Sequence, residues 1–415
     1  MSLENISLDI DFVRSQFPAF TDQLSKKWSF FENAGGSYVP QTVIDNLIKF
    51  MISTKVQPYA EYDISKIAGN QMDQAINLFA QMINVKSNEI LIGGSTTMNI
   101  YVLSNALKKF LNPGDEIIVT NQDHEANIGA WRRLSEEGAV IKEWQINRST
   151  AELEIKQFEK LLSNKTKIVA VTHCSNIVGT FNNLKLISNM AHQKGAYVIG
   201  DGVSFAPHGF PNVKELGVDF YTFSLYKTYG PHIALLFGKE EILKNLPNQN
   251  HEFLDGLFPY TLNPGGPNHE ELASLIGIFE YFNTLYKYHF DDVEKSIRIK
   301  IDKLNKLISK HEEEIGNLLL NYLNSRKDIK LIGKKIITNN NRAPTFSFTV
   351  DNKSSETVSK ILVANNIATR NDNFYAWRCL KALGINTNDG VLRISMTHYN
   401  SVNEVRNLID KLEKI

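Results

Sequence analysis

Lys227 stands between two tyrosines in the stretch "FSLYKTYGPHIALLFG". A short apolar run precedes it, and the turn pair Gly230-Pro231 leads into a second one. A lysine amine held this way can condense with a carbonyl or take up a proton, once desolvation lowers its pKa. Upstream, Asp201 ends "AYVIGDG", His124 lies in "NQDHEANIGAW", Asn176 follows "KIVAVTH", and Ser95-Thr96-Thr97 follow "EILIGG". Ser224 comes just before the lysine. The set supplies a hydroxyl-rich cradle for a phosphate, an aromatic ring, a carboxylate at the end of an apolar run and an amine. Pyridoxal phosphate needs all four. It takes a lysine for its Schiff base, a carboxylate to keep its pyridine nitrogen protonated, and hydroxyls with helix N-terminal N–H groups for its phosphate.

Each residue alone has a plainer explanation. A lysine after a strand is ordinarily a solvated loop residue. Asp201 before Gly202 suits a turn or an N-cap, and Ser and Thr suit any loop-to-helix junction. His124 could simply be packed or exposed, and Ser224 could end a strand. The joint occurrence in this order, each after an apolar run, makes those explanations poor.

The elements that must position these residues alternate. "EILIGG", "DEIIVT", "KIVAVTH", "AYVIGDG", "DFYTFS" and "IALLFG" read as buried strands, with amphipathic stretches between them. That pattern predicts an α/β domain with a mostly parallel sheet, whose ligands sit beyond the carboxyl ends of the strands. After Gly266 the texture changes. Residues 291–324 are charged and amphipathic and predict one long helix. Three strand candidates follow, "IKLIGK", "TFSFTV" and "GVLRISM", mixed with helices, which predicts a smaller α+β domain.

The bulk properties exclude several classes. The chain has 415 residues, enough for two or more domains, and its 45 basic and 45 acidic side chains cancel. A zero balance gives no electrostatic reason to expect nucleic acid or an anionic membrane as partner. The first residues, "MSLENISLDIDFVRSQFPAF", lack the basic and apolar regions of a secretory signal, and no apolar run is long enough to span a bilayer. Two distant cysteines, Cys174 and Cys379, argue against a disulfide framework or a multi-cysteine zinc site, so no metal is expected and a reducing cytoplasm fits best.

With these residues in view, the chain resembles the class V aminotransferase group of fold-type I pyridoxal-phosphate enzymes. More narrowly it is similar to the cysteine desulfurase and selenocysteine lyase branch. The resemblance runs from about Phe31 to the C-terminus, through "FFENAGG", "GGSTTMN", "NQDHEANIGAW", "THCSNIVGTFNNL", "AHQKGAYVIGDG", "FSLYKTYGP", "NPGGPNHE" and "GVLRISMTHYN". It implies a large domain with a mostly parallel seven-stranded sheet (21–275), a smaller α+β C-terminal domain (276–415), and an N-terminal segment (1–20) packed on the small domain. It implies that Lys227 carries the cofactor, Asp201 pairs with its ring nitrogen and His124 stacks on its face. Asn176 would bond the ring's phenolic oxygen, with Ser204 nearby. Thr96, Thr97 and Ser224 would hold the phosphate, with Tyr226 beside them. Arg393 would clamp the substrate carboxylate, and Asn33, Ala34 and Gly35 would line the substrate side. Family members are usually homodimers with shared sites, in which Gly265 and Gly266 would approach the partner's phosphate.

Several positions depart from the family pattern. Tyr226 stands where a histidine usually precedes the lysine, Ser204 where Gln or His is common, and Gly266 where a phosphate-binding Thr is usual. The largest departure lies in "ATRNDNFYAWRCLKALG". Desulfurases carry a persulfide-forming cysteine on this loop, and counting from Arg370 its position falls on Tyr375. A phenol cannot accept sulfane sulfur. Cys379 is four residues further and reads as a small buried helix residue, and Cys174 as structural. The resemblance therefore implies an enzyme acting on an amino acid through an external aldimine. C–S or C–Se lyase or desulfurase chemistry on a cysteine-type substrate is favoured. An aminotransferase, an epimerase using Tyr375 as acid, and a non-catalytic cofactor-binding protein remain open. Tyr59, Tyr62 and Phe374 are candidate pocket walls.

Overall fold

The structure, a computed structural model, describes residues 6–338 and 341–415. Its centre is a seven-stranded sheet. The strands are β2 (Ile90–Gly93), β3 (Glu116–Thr120), β4 (Val140–Trp144), β5 (Thr166–Thr172), β6 (Tyr197–Asp201), β7 (Phe220–Ser224) and β8 (Ala234–Gly238), after a short β1 (Ser29–Phe30) outside this sheet. The spatial order is β2-β8-β7-β6-β5-β3-β4, and β8 alone runs against its neighbours. Side chains alternate between the two faces. On β5, Val169 and Val171 join one apolar cluster, while Ile168 and Ala170 join another on the opposite face. Both faces are covered, as a largely parallel sheet requires. The strand that the apolar runs did not announce is β4. It lies at the sheet edge with Val140 exposed and its middle residues only partly buried, so it lacks a continuous apolar signature.

The return from β7 into β8 is a tight turn. Leu225–Lys227 forms one 3-10 turn, and the Leu225 and Gly230 N–H groups donate to Ile233 and Leu225 carbonyls at 2.8 and 2.9 Å. Tyr229 takes a left-handed φ of 68°. Its side chain is fully buried and its hydroxyl donates to the Pro207 carbonyl at 2.6 Å, which holds this unusual backbone in place.

The smaller unit has four antiparallel strands, β9 (Ile329–Leu331), β10 (Thr345–Val350), β12 (Arg370–Asp372) and β13 (Val391–Ser395), in the order β12-β13-β10-β9. Between β10 and β12, β11 (Ile367–Ala368) pairs in parallel with β1. The long helix runs Ile297–Ser325. It starts later than the charge pattern suggested because Ser296 caps it, accepting from the Ile299 N–H. This helix belongs to both cores: Leu304 and Ile308 pack with the large sheet, Ile315 and Leu319 with the small one. Helix Ile276–His289 buries Tyr281, Phe282 and Leu285 in the large core. Near the N-terminus, Arg14 pairs with Glu404 at 2.8 Å, and the Asp9 N–H donates to His289 at 3.0 Å. Residues 1–5 of the predicted 1–20 segment lie outside the described residues. No helix among those described is long and apolar enough to cross a membrane.

Candidate active site

The carboxyl ends of β2, β5, β6 and β7 open into one cavity of about 140 Å³. Thr96, Thr97, His124, Asn176, Asp201, Ser204, Ser224, Tyr226 and Lys227 all line it, so nearly every residue expected to meet a cofactor is brought together. The parallel register does this: Thr172 of β5 lies beside Asp201 of β6, which lies beside Thr222 of β7. The polar residues at the strand ends therefore fall in a row.

Ser95 caps helix Thr96–Leu107 by accepting from the Met98 N–H at 3.2 Å. The Thr96 hydroxyl meets that of Ser224 at 2.8 Å across the gap between the helix start and the end of β7. With first-turn N–H groups alongside, this is an anion cradle. Asp201 is buried at the end of β6 and accepts from the Val203 N–H at 2.8 Å. Burial pushes its carboxyl up to about 6 against the opposing pull of that bond and of Lys227. Asp123 is also buried, held by Thr120 and Asn127, and burial pushes it up to about 7.

His124 caps helix Glu125–Arg133, its Nδ1 accepting from the Ala126 N–H at 3.0 Å. That bond leaves the proton on Nε2. Burial, with Lys227 and Arg393 nearby, holds the ring down at about 3, so it is neutral at ordinary pH. Lys227 is 8% exposed and makes no hydrogen bond or ion pair among the described residues. Burial and Arg393 lower its pKa to about 8.

The small domain touches the cavity wall at Asn176 and His124, but Arg393 and its neighbours do not themselves line the cavity. Arg393, on β13, is 3% exposed, with the Phe374 ring 3.7 Å from its guanidinium carbon. Its Nη1 donates to the Asn176 carbonyl at 3.3 Å, and its Nε has no partner. Asn176 spends one amide hydrogen on the Phe374 carbonyl at 2.9 Å and leaves its Oδ1 unpartnered. The Tyr375 ring centroid is 5.3 Å from that of His124, with the Tyr375 backbone at a φ of 58°. Cys379 lies in helix Trp377–Leu383, fully buried, its thiol pushed up to about 12 by burial. Cys174 lines the cavity, and burial pushes its thiol far up as well.

Other expectations meet a different geometry. The Asn33 side chain is committed to structure, donating to the Ser395 carbonyl at 2.9 Å and accepting from Tyr399. Together with Ala34 and Lys227 it lines a narrow cleft beside the main cavity. Gly265 and Gly266 are exposed, with φ of 80° and 74°, and do not line the cavity of their own chain. Tyr59 lines a separate cavity of about 490 Å³ with Tyr260, and Tyr62 is exposed. Sequence reasoning passed over His232, whose ring is 4.4 Å from Tyr226, and Glu32, which approaches Arg393. Both adjoin residues that were singled out, but a histidine after a turn and a glutamate beside an asparagine carry no chemical signature of their own.

A largely parallel sheet with one reversed strand, a strand-end lysine and aspartate, and a second domain carrying an arginine define the fold-type I architecture of pyridoxal-phosphate enzymes. The family model described as aminotransferase class-V matches residues 29–408. The aminotransferase-like protein FGM3 of Gibberella zeae is 38% identical over the full length of both chains. The cysteine desulfurase-like protein ustD of Aspergillus flavus is 31% identical, covering 100% of this chain and 92% of that protein. Among solved structures, the apo cysteine desulfurase of Thermococcus onnurineus superposes with a TM-score of 0.84 at 23% identity, covering 97% of each chain. The chain belongs to the class V aminotransferase family, with cysteine desulfurase-like relatives.

Proposed function

We propose that this chain binds pyridoxal phosphate and uses it to cleave a C–S or C–Se bond of a cysteine-type amino acid, releasing the sulfur species to solvent or a small acceptor. The observation that carries the first half is the group of under-partnered polar groups in one cavity and immediately beside it. Lys227 has no partner, Asn176 Oδ1 and Arg393 Nε have none, and the Thr96 and Ser224 hydroxyls bond only to each other and to Tyr226. Buried polar groups are ordinarily satisfied, so such a set marks the seat of a polar ligand. The donor set fits pyridoxal phosphate: a cradle for the phosphate, Asp201 for the ring nitrogen, Asn176 for the phenolic oxygen, and Lys227 for the carbonyl.

When bound, pyridoxal phosphate supplies an electron sink for the charge that develops at the substrate α-carbon. The chain's own residues do the rest. Arg393, rigid between Phe374 and the Asn176 carbonyl, receives the substrate carboxylate through its free edge and orients the Cα–H bond. Lys227 is the base that takes the α-proton on Nζ, its lowered pKa placing it near neutral operating pH. Neutral His124 keeps a proton on Nε2 for donation toward the cavity. Tyr375 beside His124, with Cys379 buried in a helix, supports cleavage without a protein-bound persulfide.

The same Tyr375 favours a second reading, in which its phenol returns a proton to the opposite face of the α-carbon and the product is an epimer. We further propose that the chain works as a homodimer. Tyr59 and Tyr260 line the 490 Å³ cavity and are half exposed, and Tyr62, Ile64 and Ile67 at the start of helix Asp63–Ile83 are exposed as well, which offers apolar surface to a partner. The test is a screen of amino acids against the loaded protein, reading the cofactor's absorption and the products together. Sulfide from L-cysteine supports lyase chemistry. A keto acid without sulfide indicates transamination, and α-deuterium uptake with inversion indicates epimerisation.

A further inference from the structure

The clamp arginine already faces a carboxylate. Glu32 Oε1 lies 3.9 Å from Arg393 Nη2, and the Glu32 side chain is 28% exposed while that of Arg393 is 3% exposed. No hydrogen bond holds this carboxylate among the described residues, so the ion-pair contact is its one directional restraint. The approach depends on its neighbours. The Glu32 backbone bridges Ser395 at the end of the strand that carries Arg393, which fixes where the side chain starts. A side chain at residue 35 would collide with Glu32 Oε1, so the space left by Gly35 is the space the carboxylate occupies. The other nearby carboxylate, Asp372, is paired with Arg370 at 3.0 Å and is not available to the clamp. Glu32 also exerts its field on Lys227 across the same space.

We propose that Glu32 is the resident counter-ion of Arg393 and a specificity-determining residue. It gives up the guanidinium to one substrate carboxylate and, remaining beside the site, disfavours amino acids that bring a second. The inference rests on the reading of Arg393 as the carboxylate clamp. With a neutral β-substituent, Glu32 and the α-carboxylate share one guanidinium; an acidic β-substituent adds a third carboxylate that no cation meets, in a partly desolvated place where like charges repel appreciably. A neutral β-substituent avoids that repulsion and an acidic one meets it.

L-alanine and L-aspartate differ by one carboxylate, so their dissociation constants on the loaded protein, read from the cofactor's absorption, isolate the effect. Aspartate is expected to bind the wild-type protein about tenfold or more weaker than alanine, and Glu32→Gln is expected to close most of that gap. High salt narrows the wild-type gap, because Glu32 is partly exposed. Glu32→Ala, which cannot mimic the carboxylate's shape, gives the same relief if charge is the cause. A ratio in Glu32→Gln and Glu32→Ala equal to that of the wild type overturns the proposal. Arg393→Lys separates the two layers: weaker binding of both ligands upholds the clamp, whereas unchanged alanine binding refutes it and the role of Glu32 with it.

Discussion

Replacing Arg393 with lysine keeps the charge and removes the geometry. The guanidinium is buried, its plane is covered by Phe374 at 3.7 Å, and one of its three nitrogens is engaged by the Asn176 carbonyl at 3.3 Å. On the proposed role, the unpartnered Nε and the Nη2 that faces Glu32 would grip a substrate carboxylate by two parallel bonds. A lysine ammonium is a point donor and retains one. The missing charge-assisted hydrogen bond is worth about 1.5–3 kcal/mol, so kcat/KM for L-cysteine falls roughly 10- to 150-fold. Because the carboxylate is gripped in the ground state as well as the transition state, most of the loss belongs in KM. The assay is sulfide release under steady-state conditions, with a thermal melt of each protein to exclude unfolding. A fall in kcat with KM unchanged would refute the carboxylate role, and a variant equal to wild type would remove Arg393 from the site.

Other consequences follow from burial. Lys227→Ala should abolish turnover and the visible absorption of the lysine-bound cofactor, and a persisting band would assign the linkage elsewhere. Asp201 is raised from its ordinary value of 3.8 to about 6, so between those values the folded protein holds a proton that the unfolded chain has lost. Its contribution to stability is therefore present at low pH and lost as pH rises through about 6. In the cofactor-free protein, Asp201→Asn should raise the melting temperature at pH above 6 and leave it nearly unchanged in acid, while cutting activity about a hundredfold or more in the loaded protein. A melt insensitive to pH in that comparison would contradict the burial argument. Cys379→Ala should retain sulfide release and lose about 1 kcal/mol of stability by chemical denaturation, as expected for shrinking a fully buried side chain. Loss of activity in a well-folded variant would restore a catalytic thiol.

The lining of the 140 Å³ cavity was legible because its parts sit at strand ends in sequence order. Runs such as "KIVAVTH" and "AYVIGDG" are apolar throughout, as strands buried on both faces must be, and the polar residue that ends each run is the one delivered to the cavity. The edge strand β4 was not legible, since half-exposed residues carry no continuous apolar signal. Neither were β1, β11 and β12, which are two or three residues long and exist through pairing with distant segments. The surroundings of residues 33–35, expected to line the substrate side, were legible only in part. Asn33 was singled out for its position, yet its amide is consumed by Ser395, Asn400 and Tyr399, partners more than 360 residues away.

Local order along the chain, then, was enough for the α/β class, for the strand-end constellation of Asp201, Ser224 and Lys227, and for the absence of a cysteine at residue 375. These depend on periodicity and on neighbours in sequence, which the chain carries directly. Tertiary structure alone decided what faces Arg393. Phe374, Asn176 and Glu32 reach it from three separate segments, and Glu32 does so because Gly35 leaves the space. Burial likewise set the protonation of Lys227, His124 and Asp201, since desolvation is a property of the assembled interior and of no single residue.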